Sequence, residues 1–267
     1  MSCYKYWDKI KEIANSLKKY GDYKLNELPL DEIIPLLDSV EEIAHDQVID
    51  FDSAKHILDD EKMNEALTLI RKFYVGLGAR LETENAEAIL KSNDPWATLE
   101  SFHFYNRYQG LLRNENQLVK FTPEQKLVFI GGGPLPLTLI LLNKIFKVQC
   151  VSVEIMPEVA ELSQRVVEKL GLESQIEIIR GDETSLGSID YTVVMVAALA
   201  EPKERVFANV WEVVDTVTPV IYRTYTGMRA ILYSPVTEKA TRGFHKEVMI
   251  LPTGKVNNTS VLIRKVV

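Results

Sequence analysis

The sequence predicts an α/β protein: a Rossmann-type, doubly wound sheet with an all-helical N-terminal domain before it. Three observations carry that expectation. Apolar residues recur at helical spacing through most of residues 1–120. From Lys126 onward, short β-branched runs alternate with helix-like stretches. The first of those runs passes through three consecutive glycines into a second apolar run, "LVFIGGGPLPLTLILL".

In the N-terminal half, Trp7, Ile10, Ile13 and Leu17 are spaced by three and four, and Met63, Leu67, Ile70, Tyr74, Leu77 and Leu81 extend the same rhythm along a longer helix. "SNDPW" is a helix start, with Asp94 as the cap and Pro95 in the first turn. In the second half, "KLVFI", "VQCVSVE", "IEIIRG", "YTVVMVAAL" and "PVIYRTY" have the near-continuous apolar character of parallel strands covered on both faces. "PEVAELSQRVVEKLG" between two of them is a helix that stops at Gly171. "KEVMILP" and "TSVLIRKV" are separated only by the turn-like "TGKVNN", which suits an antiparallel pair at the sheet edge. The expected domains are 1–120, all helical, and 121–267, Rossmann-like.

A net charge of −7 gives no general attraction to nucleic acid or to an anionic membrane. No apolar run reaches the roughly 20 residues that span a bilayer, and the amphipathic, charged N-terminus does not have the layout of a signal peptide. Cys3 and Cys150 are expected to be reduced and unpaired, as in a cytoplasmic protein. His45, His56, His103 and His245 are dispersed, and no His, Cys, Asp or Glu group has metal-ligand spacing. No metal site is expected.

The glycine loop narrows the ligand. Gly131 and Gly133 fill the first two glycine positions of a dinucleotide fingerprint, but Pro136 stands where the third would be. No Lys-Ser/Thr follows, so the loop is not a P-loop. Glu154 ends the second strand, where a carboxylate accepts both ribose hydroxyls of a nucleoside. Asp182 ends the third, where S-adenosylmethionine (SAM) enzymes keep an acid for the adenine amino group. Gly131, Gly132, Gly133 and Pro134, with Glu154 and Asp182, are therefore the candidate SAM-binding residues. The plainer alternatives are that Glu154 caps the next helix and Asp182 ends a turn.

With these residues placed, the chain resembles the nicotianamine synthase family in its short microbial or archaeal form. The resemblance covers essentially the whole chain and rests on "EEIAHD", "ALTLIRKFYVGLGARLE", "NDPWATLESFHFYNRY", "VFIGGGPLPLT", "VMVAALAEPKERVF", "IYRTYTGMRAILY" and "GKVNNTSVL". It implies transfer of the 3-amino-3-carboxypropyl (aminobutyrate) arm of SAM: an amine attacks the carbon beside the sulfonium and 5′-methylthioadenosine leaves. The product would be a nicotianamine-type metal chelator, made with no metal requirement. The resemblance also implies that Glu82 takes the proton of the amine and that Tyr108 orients the amine or relays its proton. Tyr105, one helical turn earlier, is a further substrate-contact candidate. Gly78 lies a turn before Glu82, and a mid-helix glycine, costing about 1 kcal/mol against alanine, leaves space on that face for a ligand. Arg223 and Arg229 follow the fifth strand and suit substrate carboxylates, with a surface salt bridge as the alternative for each. His103 is read as structural.

The active site is expected between the helical domain and the carboxyl edge of the sheet. "VMVAALA" offers none of the polar or acidic groups with which many amine methyltransferases hold their substrate nitrogen. Two rivals stay open at this point: an ordinary SAM-dependent methyltransferase, and a non-catalytic adenosine-ligand sensor with a helical protein-binding module. The number of aminobutyrate units, incorporation of another amino acid such as glutamate, and azetidine ring closure depend on cavity shape and not on residue type. A homodimer is compatible with the sequence.

Overall fold

The structure is a computed structural model that describes residues 4–20 and 27–266. Cys3 lies outside the described residues. Contacts group the chain into two compact units. The first is Met1–Arg80 with Tyr225–Pro235 and Thr253–Asn257; the second is Leu81–Thr224 with Val236–Pro252 and Asn258–Val267. The division falls inside a helix, whereas the change of periodicity near residue 120 marks where the first strand approaches.

The first unit holds α1 (Tyr4–Lys18), α2 (Leu30–Ala44), α3 (Phe51–Leu58) and the beginning of α4 (Asn64–Lys91). Its core follows the expected stripes: Ile10, Ile13, Leu17, Met63, Leu67, Ile70 and Leu77 are buried. Trp7 is only half-buried, and Tyr6 beside it turns inward instead, donating its hydroxyl to Asp46 Oδ2 at 2.5 Å. Two segments from late in the sequence complete this unit, burying Met228, Ile231, Leu232 and Val256. Side chains stitch them in. Arg71 donates to the carbonyl of Ala230 through Nε (3.2 Å) and Nη2 (2.8 Å). Arg229 donates to the carbonyls of Val256 (2.8 Å) and Gly254 (2.9 Å). The Asn257 amide donates to Glu41 Oε1 (3.2 Å) and Tyr74 Oη (2.9 Å), and its Oδ1 lies 2.5 Å from His45 Nε2.

The second unit contains the rest of α4, then α5 (Pro95–Glu100) and α6 (Tyr105–Leu118). Asp94 caps α5 as expected, accepting the Ala97 amide at 3.0 Å. The sheet follows: β1 (Lys126–Ile130), β2 (Gln149–Glu154), β3 (Ile176–Arg180), β4 (Val193–Val196), β5 (Val220–Thr224), β6 (Phe244–Ile250) and β7 (Thr259–Lys265). Between them run α7 (Leu137–Phe146), α8 (Pro157–Lys169) and α9 (Lys203–Val213). Strand order is β3-β2-β1-β4-β5-β7-β6. The first five strands are parallel; β7 enters antiparallel between β5 and β6. This is the doubly wound sheet the sequence predicts, with its antiparallel pair at one edge.

Local chemistry sets the element ends that matter here. α8 closes on Gly171 at φ +71°, with the amide of Leu172 bonded to Val167 O and that of Gly171 to Glu168 O, a Schellman cap. Pro136 is the cap residue of α7: its carbonyl accepts the amides of Leu139 and Ile140, and no donor is lost because a cap amide has no helical partner. That is why a proline suits the place of a third glycine. Edge strand β6 is largely exposed, carries Lys246 and Glu247, and has a bulge between Lys246 and Val248, devices that discourage strand addition.

Candidate active site

β1 and β2 run parallel with Ile130 beside Val153, so the loop after β1 and the end of β2 emerge together at the carboxyl edge. The loop turns through Gly131 (φ +84°) and Gly133 (φ +71°), conformations that other residues adopt only with strain. Gly132 is required for another reason. A Cβ there would lie 2.0 Å from Ser152 Oγ, a buried hydroxyl that fills the space beneath the loop. Glu154 fastens the arrangement, accepting the amide of Gly133 at 3.1 Å on Oε2 and that of Met156 at 3.0 Å on Oε1. Glu154 therefore does hold the following turn, yet each oxygen keeps a lone pair for a ribose hydroxyl. Asp182 accepts both the amide (3.0 Å) and the hydroxyl (2.5 Å) of Thr184, bonds that lower its pKa and keep it ionised at the start of a short 3-10 turn.

Glu82, on α4, comes to the same loop. Its Oε1 accepts the Tyr108 hydroxyl at 3.2 Å, and its Oε2 lies 3.1 Å from where a Cβ on Gly133 would be. Part of the residue remains accessible, but the carboxyl end is surrounded by protein atoms. Loss of hydration pushes its pKa up to about 7; the Tyr108 hydrogen bond and the charge of Arg223 hold it down, and Glu154 adds to the rise. A carboxylate so tuned takes up and releases a proton near neutrality, which an exposed one at its ordinary value of about 4.3 does not.

Arg223 is buried behind this group. It forms a two-pronged ion pair with Glu115, Nε to Oε1 at 2.7 Å and Nη2 to Oε2 at 3.0 Å, while Nη1 donates to Thr138 Oγ1 at 2.9 Å. Ser260 donates to Glu115 Oε1 at 3.2 Å. The guanidinium carbon lies 5.9 Å from the centre of the Tyr108 ring and 5.2 Å from that of Phe129. Arg223 thus takes part in a salt bridge, but one that is internal and not on the surface.

The other candidates have other partners. Arg229 belongs to the first unit, where backbone carbonyls occupy its guanidinium. Tyr105 is buried, and its hydroxyl receives Lys144 Nζ at 3.3 Å; Lys144 also pairs with Glu100 at 2.5 Å. His103 is exposed and packs its ring edge-on against Phe104.

Sequence reasoning missed Glu115, Ser152 and Lys203. Glu115 follows Leu111 and Leu112 by four and three residues on α6, so a charge in an apolar stripe was the available signal. Lys203 turns back at the head of α9 to donate to the carbonyls of Ala197 (3.4 Å), Ala198 (2.8 Å) and Ala200 (2.5 Å), closing the apolar loop after β4. Ala197 and Ala200 are the groups a Cβ on Gly131 would touch, at 3.3 and 3.4 Å. Among the described residues no group of three or more His, Cys, Asp or Glu is arranged to hold a metal ion, and no helix is long and apolar enough to cross a membrane.

Known proteins resemble this chain in sequence and in fold. The family model described as "Nicotianamine synthase protein" matches residues 5–267. A nicotianamine synthase of Solanum lycopersicum is 28% identical over 78% of this chain and 71% of its own length. The crystal structure of MtNAS in complex with MTA and tNA is 55% identical, covers 99% of this chain and all of its own, and superposes with a TM-score of 0.96. A glutamate-to-glutamine variant of MtNAS in complex with S-adenosylmethionine matches at 55% identity over 99% of both chains, with a TM-score of 0.94.

Proposed function

The chain belongs to the nicotianamine synthase family, and from that premise we propose how its residues carry out aminobutyrate transfer. The enzyme is a SAM-dependent 3-amino-3-carboxypropyl transferase that builds a nicotianamine-type chelator and releases 5′-methylthioadenosine. SAM is bound on the loop Gly131–Pro134, with its ribose at Glu154 and its adenine toward Asp182. The sulfonium is already a good leaving group, so the reaction needs an unprotonated amine aligned with the carbon beside sulfur. The amine lone pair forms the new C–N bond, the C–S bond breaks, and its electron pair returns to sulfur. The nitrogen then carries a positive charge and a surplus proton.

Glu82 takes that proton, with Tyr108 holding the carboxylate in place. The observation that carries this reading is the placement of Glu82: a carboxyl pushed up to about 7 and held against the Gly133 turn by the Tyr108 hydroxyl. A developing ammonium beside it is stabilised as it forms. That the MtNAS variant crystallised with SAM has a glutamate replaced supports a glutamate in the chemistry of the family. Since Arg223 is engaged by Glu115 and Thr138, we assign it a supporting position and not a grip on substrate.

The test is the by-product. With SAM, and with or without added glutamate, mass spectrometry should find methylthioadenosine and a chain-extended amine; S-adenosylhomocysteine in its place would make the protein a methyltransferase. Glu82→Gln should keep SAM affinity and lose turnover. We place the enzyme in the cytoplasm, which suits the free, buried Cys150. Assembly as a homodimer is supported by the exposed apolar Val248, Met249 and Leu251, and light scattering decides it.

A further inference from the structure

We propose that Glu115 and Arg223 are positioning residues for the reaction: Glu115 fixes a guanidinium beside the Tyr108 ring, and that cation seats Tyr108 and sets the field in which Glu82 exchanges its proton. The inference rests on reading Glu82 as the base. Glu115 is fully buried and Arg223 is 5% exposed, so the pair sits in a low-dielectric interior where charges act over longer distances than in water. All three guanidinium nitrogens are spoken for, two by Glu115 and one by Thr138. Stability alone does not account for the pair, because well-packed apolar side chains serve a core at least as well as a buried ion pair.

What the pair adds is a charge held still. Its guanidinium lies within cation–π range of Tyr108, whose hydroxyl reaches Glu82. The charged and titratable groups acting on Glu82 are Tyr108 from α6, Arg223 from β5 and Glu154 from β2. Of these, Arg223 is the one cation, and Glu115 tempers it.

The opposing charges give a test that a structural role fails. The pH dependence of methylthioadenosine release is measured for the wild type, Glu115→Gln, the double variant Glu115→Gln/Arg223→Met, and Glu82→Gln. Glu115→Gln leaves the cation less compensated, and the acidic limb should move down by about half a pH unit or more. The double variant removes both charges, and the limb should move up by a similar amount. Limbs that stay at the wild-type position while turnover or thermal midpoint falls would overturn the proposal and leave the pair a packing element. Should Glu115→Gln not fold, the double variant decides: a raised limb supports the proposal and an unmoved one sinks it. Turnover retained in Glu82→Gln would refute the base assignment itself, and the inference with it.

Discussion

Gly133 and Glu82 approach so closely that a methyl group on the glycine would have to push the carboxylate aside. A Cβ on Gly133 would stand 3.1 Å from Glu82 Oε2, and the same glycine holds φ +71° while its amide is bonded to Glu154. Gly133→Ala therefore meets two penalties. The left-handed backbone costs about 1–2 kcal/mol for a residue with a Cβ, and the methyl displaces the carboxylate. Turnover should fall several-fold, since a full displacement of a reacting group by about 1 Å costs on the order of 100-fold and the carboxylate here must give by a fraction of that. Steady-state assay and thermal melting check this, and wild-type turnover would mean that the carboxylate does not need its place.

The raised pKa of Glu82 makes stability depend on pH. The folded chain keeps the proton up to about 7, whereas the unfolded chain releases it near 4.3. Between those values the folded state binds more protons, so stability contributed by the neutral carboxyl is lost as pH rises, and the penalty is complete above pH 7. Glu82→Gln should then be more stable than wild type by about 3–4 kcal/mol at pH 8 and nearly equal to it at pH 4. Urea unfolding at both pH values checks it; equal stabilities at pH 8 would place the carboxylate in a hydrated setting.

The same group should shape the rate profile. The acidic limb should fall near pH 7 in the free enzyme. Tyr108→Phe removes a hydrogen bond that favours the ionised carboxylate, so the limb should move up and turnover at pH 8 should drop about tenfold. A profile unchanged in Tyr108→Phe would make the tyrosine a packing residue.

Lys203 holds the loop after β4 from inside. Burial lowers its pKa, with Glu201 opposing, and three backbone carbonyls receive its ammonium. Lys203→Met strands those carbonyls at about 1–3 kcal/mol. Because the loop rests on Gly131 through Ala197 and Ala200, SAM affinity should weaken along with the melting temperature. Calorimetric titration measures the first; affinity kept at wild-type level would separate the loop from the ligand site.

Strands and helices were legible because their side chains repeat: β1 coincides with "KLVFI", and the antiparallel pair followed from a connection too short for a helix. Glu82 was legible only through the family resemblance, since one glutamate on a long helix looks like any surface charge. What hid the remainder is that polar partnerships are long-range. Arg223 finds Glu115 and Tyr105 finds Lys144 across the fold, and no local pattern distinguishes such a cation from one awaiting a substrate. Lys203 was hidden for a similar reason, as its targets are backbone atoms that carry no sequence signature. Tyr105 and Tyr108 sit on one helix, yet their hydroxyls end among different partners.

Asn257 ties a late segment to Glu41 and Tyr74 in the unit that begins at the N-terminus. On the ribosome the first helices emerge long before Met228, Ile231 and Val256, which help fill their core. The N-terminal helices must wait, apolar faces uncovered, until nearly the whole chain has been made. Maturation is therefore a closing act performed after translation, not a domain-by-domain sequence from the first residue, and a fragment ending at Arg80 should be a poorly folded substrate for chaperones and proteases.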